Sequence, residues 1–489
     1  MRPITLTNNL TRRKEALKTL ENQHVKIYAC GVTVYDHCHI GHAMQAIFFD
    51  VIRQYLKFAG YRVTYVRNYT DVDDKIINRA QERGISPAKL AKDMIESCDR
   101  DMMAIGVNPP DKAPKVSEMI PQIIAMTQQL IDKKFAYATK DGDVYYRVRS
   151  KADYGKLSGR NPDDMRTGTR ELVAGDKEDP LDFALWKSDT TPEASWPSQW
   201  GVGRPGWHIE CSAMAKAILG DSFDIHGGGR DLIFPHHENE IAQSEAANSC
   251  GYATAWLHCG LLTINKQKMS KSLGNHISIT DFLRDWPAEV LRLAFLQHSY
   301  GSNIDFSPRV FAEARRRLHY YYQLVASLET MAAEHQGSKN LLKDHTPALL
   351  TEEFHQVMSD DFNSAAAIAA INRSCRKAGE LARGKSNADR SATASAYLQA
   401  WRPLWAVLGI VQEPVGLFIS KLKEQLLGEL QITPAEIQVC IDQRQQARAA
   451  KDFATSDQLR KDMAARGIDL MDTPSGTKWD IRYDADANQ

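Results

Sequence analysis

The sequence predicts an α/β protein with a parallel sheet, continued by a largely helical region, and three observations predict it. Val25-Lys26-Ile27-Tyr28-Ala29-Cys30 is a buried-strand run, and Arg62-Val63-Thr64-Tyr65-Val66 is a second. Between them, Ala43 to Ala59 carries Ile47, Val51 and Tyr55 at helical spacing and stops at Gly60. Strand, helix, strand is a βαβ unit, whose sheet is parallel and whose ligands lie beyond the carboxyl ends of the strands. Beyond about Gly301 the periodicity is helical almost throughout.

The remaining elements follow in chain order. Ser86 and Pro87 read as N-cap and first residue of a helix in which Leu90, Met94, Cys98 and Met102 recur every fourth residue, which places Cys98 in the core. From about Ser150 to Pro205, abundant Gly, Pro, Asp and Trp with little periodicity predict an inserted, loop-heavy segment rather than a sheet core. Strand and helix signals return at Phe223-Asp224-Ile225-His226 and after Pro235. Helices are predicted over Val310–Met331, Thr351–Ala382 and Ala392–Leu408. Pro414-Val415-Gly416 reads as a linker, followed by one helix near Asp452–Arg466 and a turn-rich tail.

The chain has 489 residues, 43% of them hydrophobic, which is more than one ordinary domain holds. Lys+Arg and Asp+Glu both total 61, so no overall positive field announces a nucleic acid, and any RNA contact must be local. No apolar run approaches the roughly 18 residues that span a bilayer, and Met1-Arg2-Pro3-Ile4-Thr5 does not read as an export leader. The expectation is a soluble, cytoplasmic protein with no membrane partner. Eight cysteines without a CxxC pair point to reduced thiols, some of them metal ligands, rather than a disulfide framework.

Two short strings carry phosphate chemistry. His39-Ile40-Gly41-His42 opens the first helix, where unpaired backbone N–H groups and the positive dipole end favour an anion. Lys268-Met269-Ser270-Lys271-Ser272 follows the apolar Leu261-Leu262-Thr263-Ile264, and its two lysines suit a clamp on polyphosphate. Each alone has a plain alternative, surface histidines at a helix start or a solvated basic turn. A metal site is partly legible as well. Cys30 ends the first strand, Cys211 starts a helical pattern, and His236 and Glu240 are four apart and share one helix face. His237 lies about 100° around that helix and is expected to contact substrate or phosphate instead. Small buried hydrophobes are the alternative for the two cysteines.

In this order and on these elements the two strings resemble the signature pair of class I aminoacyl-tRNA synthetases. Four longer strings resemble the cysteinyl-tRNA synthetase family: Tyr28–Asp36, Arg67–Ile76, Gly206–Met214 and Phe234–Glu240. Met358–Ser364 and Gly467–Trp479 resemble its helical and anticodon-binding modules.

The resemblance implies a Rossmann-like catalytic domain in two halves, residues 1–115 and 206–300, around an inserted segment 116–205. A helical bundle over 301–410 and an anticodon-binding module over 417–489 would follow. It implies activation of L-cysteine by ATP and transfer to tRNA(Cys) by a monomer, with Zn²⁺ on Cys30, Cys211, His236 and Glu240 and Mg²⁺ accompanying ATP. His39, Gly41, His42, Lys268, Ser270 and Lys271 would hold ATP, with His39, His42, Lys268 and Lys271 carrying the catalysis. Cys30, Thr70, Trp207 and Asp231 would meet cysteine, although packing at Trp207 and a turn at Asp231 are alternatives. Arg444, Arg448 and Trp479, with Lys451, Arg460 and Lys461 nearby, would face RNA unless they form a solvated face. Two rivals are a ligase joining cysteine to an amino sugar, whose known members lack a full anticodon module, and a zinc-organised RNA-binding protein without catalysis.

Overall fold

The computed structural model describes residues 2–161, 163, 177–264, 267–268, 276–335, 338, 340–343, 347–473 and 476–482. The chain forms two compact units. The first comprises Met1–Ser307, Leu349–Asn372 and Val407–Gly409; the second comprises Pro308–Ala348, Arg373–Ala406 and Ile410–Gln489. No helix among the described residues is long and apolar enough to cross a membrane.

The first unit is organised by a four-stranded parallel sheet in the spatial order Ala253–Cys259, Phe223–Gly229, His24–Thr33, Arg62–Thr70. The two earlier strands in sequence lie on one side and the two later ones on the other. The order therefore reverses between His24–Thr33 and Phe223–Gly229, and a crevice opens beyond their carboxyl ends. Val25, Ile27, Tyr28 and Ala29 are all buried, as expected of a sheet covered on both faces. Helix Ile40–Phe58 turns Ile47, Phe49, Ile52 and Leu56 inward, and helix Pro87–Ala104 starts at the Ser86 cap with Pro87 in its first turn and buries Cys98. The first strand is irregular between Ala29 and Val32, and a side chain at Gly31 would stand 1.7 Å from the Asn68 carbonyl oxygen. Only glycine lets the two strands approach so closely there.

The structure corrects the reading of Ser150–Pro205. This segment supplies strands Phe183–Ser188, Trp196–Ser198 and Gly201–Pro205 to a five-stranded antiparallel sheet with Ala136–Ala138 and Val144–Tyr146. Such short strands leave too few residues for alternation to register. Their stability comes from packing instead, with Trp186 wholly buried and the Tyr146 and Phe183 rings stacked 4.9 Å apart.

The helix expected over Thr351–Ala382 is two, Leu350–Met358 and Ser364–Ala382. Asp361 and Phe362 between them adopt φ values of 63° and 51°. Tertiary contacts hold this break: the Asp361 carboxylate accepts hydrogen bonds from the Thr7 N–H at 2.8 Å, the Thr7 hydroxyl at 2.7 Å and the Tyr300 hydroxyl at 2.8 Å. Deeper in this unit, Arg292 pairs with Asp50 at 2.9 Å and donates to the carbonyls of Gly106 at 2.9 Å and Leu408 at 3.2 Å.

The second unit contains helix Pro308–Glu334, helices Val415–Leu430, Pro434–Ala449 and Phe453–Ala465, and a hairpin of Ile468–Thr473 with Gly476–Ile481. Pro414-Val415-Gly416, read as a linker, instead opens a helix whose Phe418 stacks on Tyr322 with ring centroids 3.8 Å apart. Helix Pro434–Ala449 escaped the periodicity because few apolar residues, Ile437, Cys440 and Ile441, turn inward. Its start was legible all the same, since Thr433 and Glu436 form a capping box before Pro434.

Candidate active site and metal centre

Three elements bring four donors together where the sheet reverses. Cys30 comes from the end of the first strand, Cys211 from helix Trp207–Leu219, and His236 and Glu240 from the turn and helix after Pro235. All four are buried, and their ligand atoms lie within 4.8 Å of one another. The Cys30 and Cys211 sulfurs are 3.8 Å apart, Cys30 Sγ is 3.4 Å from Glu240 Oε1, and His236 Nε2 is 3.1 Å from the same oxygen. A tetrahedron with metal–ligand bonds of about 2.0–2.3 Å has edges of about 3.3–3.8 Å, so these donors fit a zinc ion.

The surroundings orient that set. Glu240 Oε2 faces away from the cluster, taking a hydrogen bond from the Tyr252 hydroxyl at 3.0 Å and lying 2.8 Å from His226 Nε2. His236 Nδ1 lies 3.1 Å from His208 Nδ1, and the Trp207 ring stacks on His236 at 4.3 Å. Such outer partners fix the rotamer and charge of metal ligands. Electrostatics point the same way. The hydrogen bond from Cys30 draws the Cys211 thiol down to about 6, while burial and the neighbouring Cys211 hold Cys30 well up. Burial opposes protonation of His236, yet Glu240 and Cys211 outweigh it and raise the imidazole to about 10. A dry pocket of two sulfurs and a carboxylate suits a metal cation.

A second grouping shares Cys30 and Glu240 and adds His226 and His237. The 2.8 Å separations of His226 from Glu240 and of His237 Nδ1 from His258 Nε2 are hydrogen bonds, which favour the first grouping as the metal set. His237 does not reach outward to substrate or phosphate as expected. It is fully buried, with Nε2 3.3 Å from Cys30 Sγ, because the turn Ile233–His237 departs from regular helix and points both histidines inward.

On the nucleotide side, His39 caps helix Ile40–Phe58. Its Nδ1 accepts from the Gly41 N–H at 3.1 Å, while its own N–H donates to His42 Nδ1 at 3.3 Å, and the two rings stack at 3.7 Å. His39, Gly41, His42, Gln45 and Asp231 line a cavity of about 180 Å³. Asp231 thus shares this cavity with His39 and His42. The backbone of Lys268 pairs with Thr263 in a short hairpin, whereas its side chain, Ser270 and Lys271 lie outside the described residues. Thr70 is buried and donates to Glu210 Oε2 at 3.1 Å, and burial holds the Glu210 carboxyl well above the usual range. Glu210, His208, Tyr252 and His226 escaped sequence reasoning, although Glu210 and His208 sit beside Trp207 and Cys211.

The residues expected to meet RNA lie in the second unit. Arg444 is buried and forms a two-pronged pair with Asp472 at 2.6 and 2.9 Å, so it anchors the terminal hairpin instead of offering itself to phosphate. Arg448 is half exposed and reaches the same carboxylate at 2.9 Å. Trp479 is partly covered, with the Lys423 ammonium 4.9 Å above its ring.

A parallel sheet with candidate metal ligands at its reversal point, a His-Ile-Gly-His helix start beside it and a largely helical continuation define a class I tRNA synthetase. The family model for the tRNA synthetases class I (C) catalytic domain matches residues 16–316, and the DALR domain matches 353–412. In fold the chain is similar to Mycobacterium tuberculosis methionyl-tRNA synthetase in complex with methionyl-adenylate, with a TM-score of 0.60 and 14% identity over 84% of this chain and 95% of that one. It is also similar to the Agrobacterium radiobacter K84 LeuRS in its ternary complex with tRNA and LeuAMS, with a TM-score of 0.57 and 13% identity over 82% and 87%. In sequence it is 47% identical over 483 residues to a cysteine–tRNA ligase of Geobacter sulfurreducens, covering 98% of this chain and 100% of the relative. A cysteine–tRNA ligase of Chromohalobacter salexigens is 46% identical over the same shares. The chain therefore belongs to the cysteine–tRNA ligase family and is a ligase that forms aminoacyl-tRNA.

Proposed function

We propose that this protein joins L-cysteine to ATP, giving cysteinyl-adenylate and pyrophosphate, and passes the cysteinyl group to the 3′ adenosine of tRNA(Cys). In this reading Zn²⁺ sits on Cys30, Cys211, His236 and Glu240, and Mg²⁺ accompanies ATP. The observation that carries it is the donor cluster with zinc-like edges at the carboxyl ends of the strands, built into the same unit as the His39–His42 cavity. Bound zinc would supply a soft Lewis acid that takes a thiolate in preference to the protonated hydroxyl of serine, so no separate editing domain is needed.

The protein's own residues do the rest by position and charge. His39 and His42 each use Nδ1 to accept a backbone N–H, which leaves the proton on Nε2 as a donor toward phosphate oxygens, beside the positive end of helix Ile40–Phe58. Lys268 and Lys271 neutralise charge that grows on the departing pyrophosphate. Thr70 and Trp207, next to Cys211 and His236, bound the amino-acid pocket, and Asp231 meets the substrate ammonium. No protein nucleophile takes part.

The test is exchange of pyrophosphate into ATP, run with cysteine, with serine and with a zinc chelator. Exchange that requires cysteine and fails after chelation is expected. Equal exchange with serine, or none with either amino acid, would sink the reading.

A further inference from the structure

We infer that Arg67 anchors the carboxylate of the amino-acid substrate, an assignment that rests on the functional reading above and adds a residue to it. Six arginines are buried among the described residues: Arg53, Arg67, Arg204, Arg292, Arg315 and Arg444. Five of them hold a carboxylate, Asp111, Asp189, Asp50, Glu429 and Asp472 respectively. Arg67 is the exception. It is 8% exposed, and its Nη1 is buried with no hydrogen-bond partner among the described residues. Tyr69 hydrogen-bonds the guanidinium, but no carboxylate pairs with it among the described residues; burying a charge without a counter-charge is costly, so the open Nη1 is a place kept for an anion from outside the fold.

The surroundings identify the anion. Arg67 lines a cavity of about 40 Å³ that has no aspartate or glutamate in its wall. That space suits a carboxylate and is too small for a nucleobase or a triphosphate. Cys30 borders it from the metal side and His42 from the nucleotide side, while Gln45 Nε2 donates to the Cys30 carbonyl at 2.7 Å and ties the two borders together. A substrate with a thiol for the metal and a carboxylate for ATP has to bridge these borders, and cysteine does. The planar guanidinium offers two parallel N–H groups, which match a carboxylate better than an ammonium would. Held there, one carboxylate oxygen attacks the α-phosphorus, the bond to the bridging oxygen of pyrophosphate breaks, and pyrophosphate leaves with the electron pair. Arg67 keeps the attacking group ionised and aimed.

The experiment compares binding of L-cysteine and of cysteamine, which keeps thiol and amine but lacks the carboxylate, to the zinc-loaded protein by calorimetry. The unmutated protein should bind cysteine on the order of 10-fold or more tighter than cysteamine. In Arg67→Met that preference should fall to within about twofold with cysteamine affinity unchanged, and the KM for cysteine should rise while that for ATP stays put. Arg67→Lys, which keeps the charge, should retain part of the preference. A folded, zinc-containing Arg67→Met that keeps the full preference overturns the assignment alone. If that variant does not fold, a crystal structure of the unmutated protein with cysteine decides: a carboxylate on Nη1 supports the assignment, and one beyond hydrogen-bond reach overturns it. Absence of any zinc-dependent cysteine binding to the unmutated protein overturns the functional reading and Arg67's role with it.

Discussion

The sulfur atoms of Cys30 and Cys211 lie 3.8 Å apart although 181 positions separate the two residues in the chain. That spacing matches the S–S edge of a tetrahedral zinc site. Cys211→Ser and His236→Ala are each expected to remove stoichiometric zinc and to lower cysteine-dependent exchange on the order of 10²-fold or more, because three remaining ligands hold the ion poorly. Elemental analysis beside exchange kinetics checks this, with circular dichroism to confirm folding. Retained zinc in both variants would refute the ligand set.

Tyr252→Phe tests the support behind the metal ligands. Its hydroxyl donates to Glu240 Oε2 at 3.0 Å, both groups are buried, and loss of an outer partner lowers metal affinity by about 10–100-fold. Competition with a chromogenic chelator reads that shift directly. Unaltered affinity would mean that His226 alone orients the carboxylate.

Lys271→Ala should slow adenylate formation on the order of 10²-fold with little effect on cysteine affinity, since a clamp on leaving pyrophosphate acts mainly in the transition state. Single-turnover exchange together with equilibrium cysteine binding separates the two. Normal kinetics would remove the lysine from the catalytic set.

Asp50→Ala should destabilise the first unit by about 3–5 kcal/mol, because it leaves Arg292 buried without its counter-charge. Denaturant titration measures this. A cost below about 1 kcal/mol would place the stabilisation in the backbone carbonyls that Arg292 also contacts.

A chain ending at Gln431 is expected to keep cysteinyl-adenylate formation and to lose most tRNA charging. A cut after Gly416 would also strip helix Val415–Leu430, whose Phe418, Leu422, Leu426 and Leu427 are buried, and so confuse lost RNA contact with lost packing. Full charging by the folded Gln431 truncation would exclude an anticodon role for the terminal module.

What the sequence by itself determined is whatever near neighbours encode. Each separate strand and helix of the first βαβ unit, the Ser86-Pro87 helix start and the His39–His42 cap depend on residues within a few positions of one another, as does the four-residue spacing of His236 and Glu240. Family resemblance extended that reach by supplying Cys30 and Cys211 as partners. Only the tertiary structure decided the rest. It ended a helix at Asp361 because Thr7 and Tyr300 bind its carboxylate, turned His237 inward beside Cys30, spent Arg444 on Asp472, and left Arg67 without a carboxylate. Each of these outcomes depends on a residue far away in the chain, or on the lack of one. Local periodicity carries no record of which distant group a folded chain will bring within hydrogen-bond reach, and burial, which sets the energy of every such pairing, exists only once the chain has closed on itself.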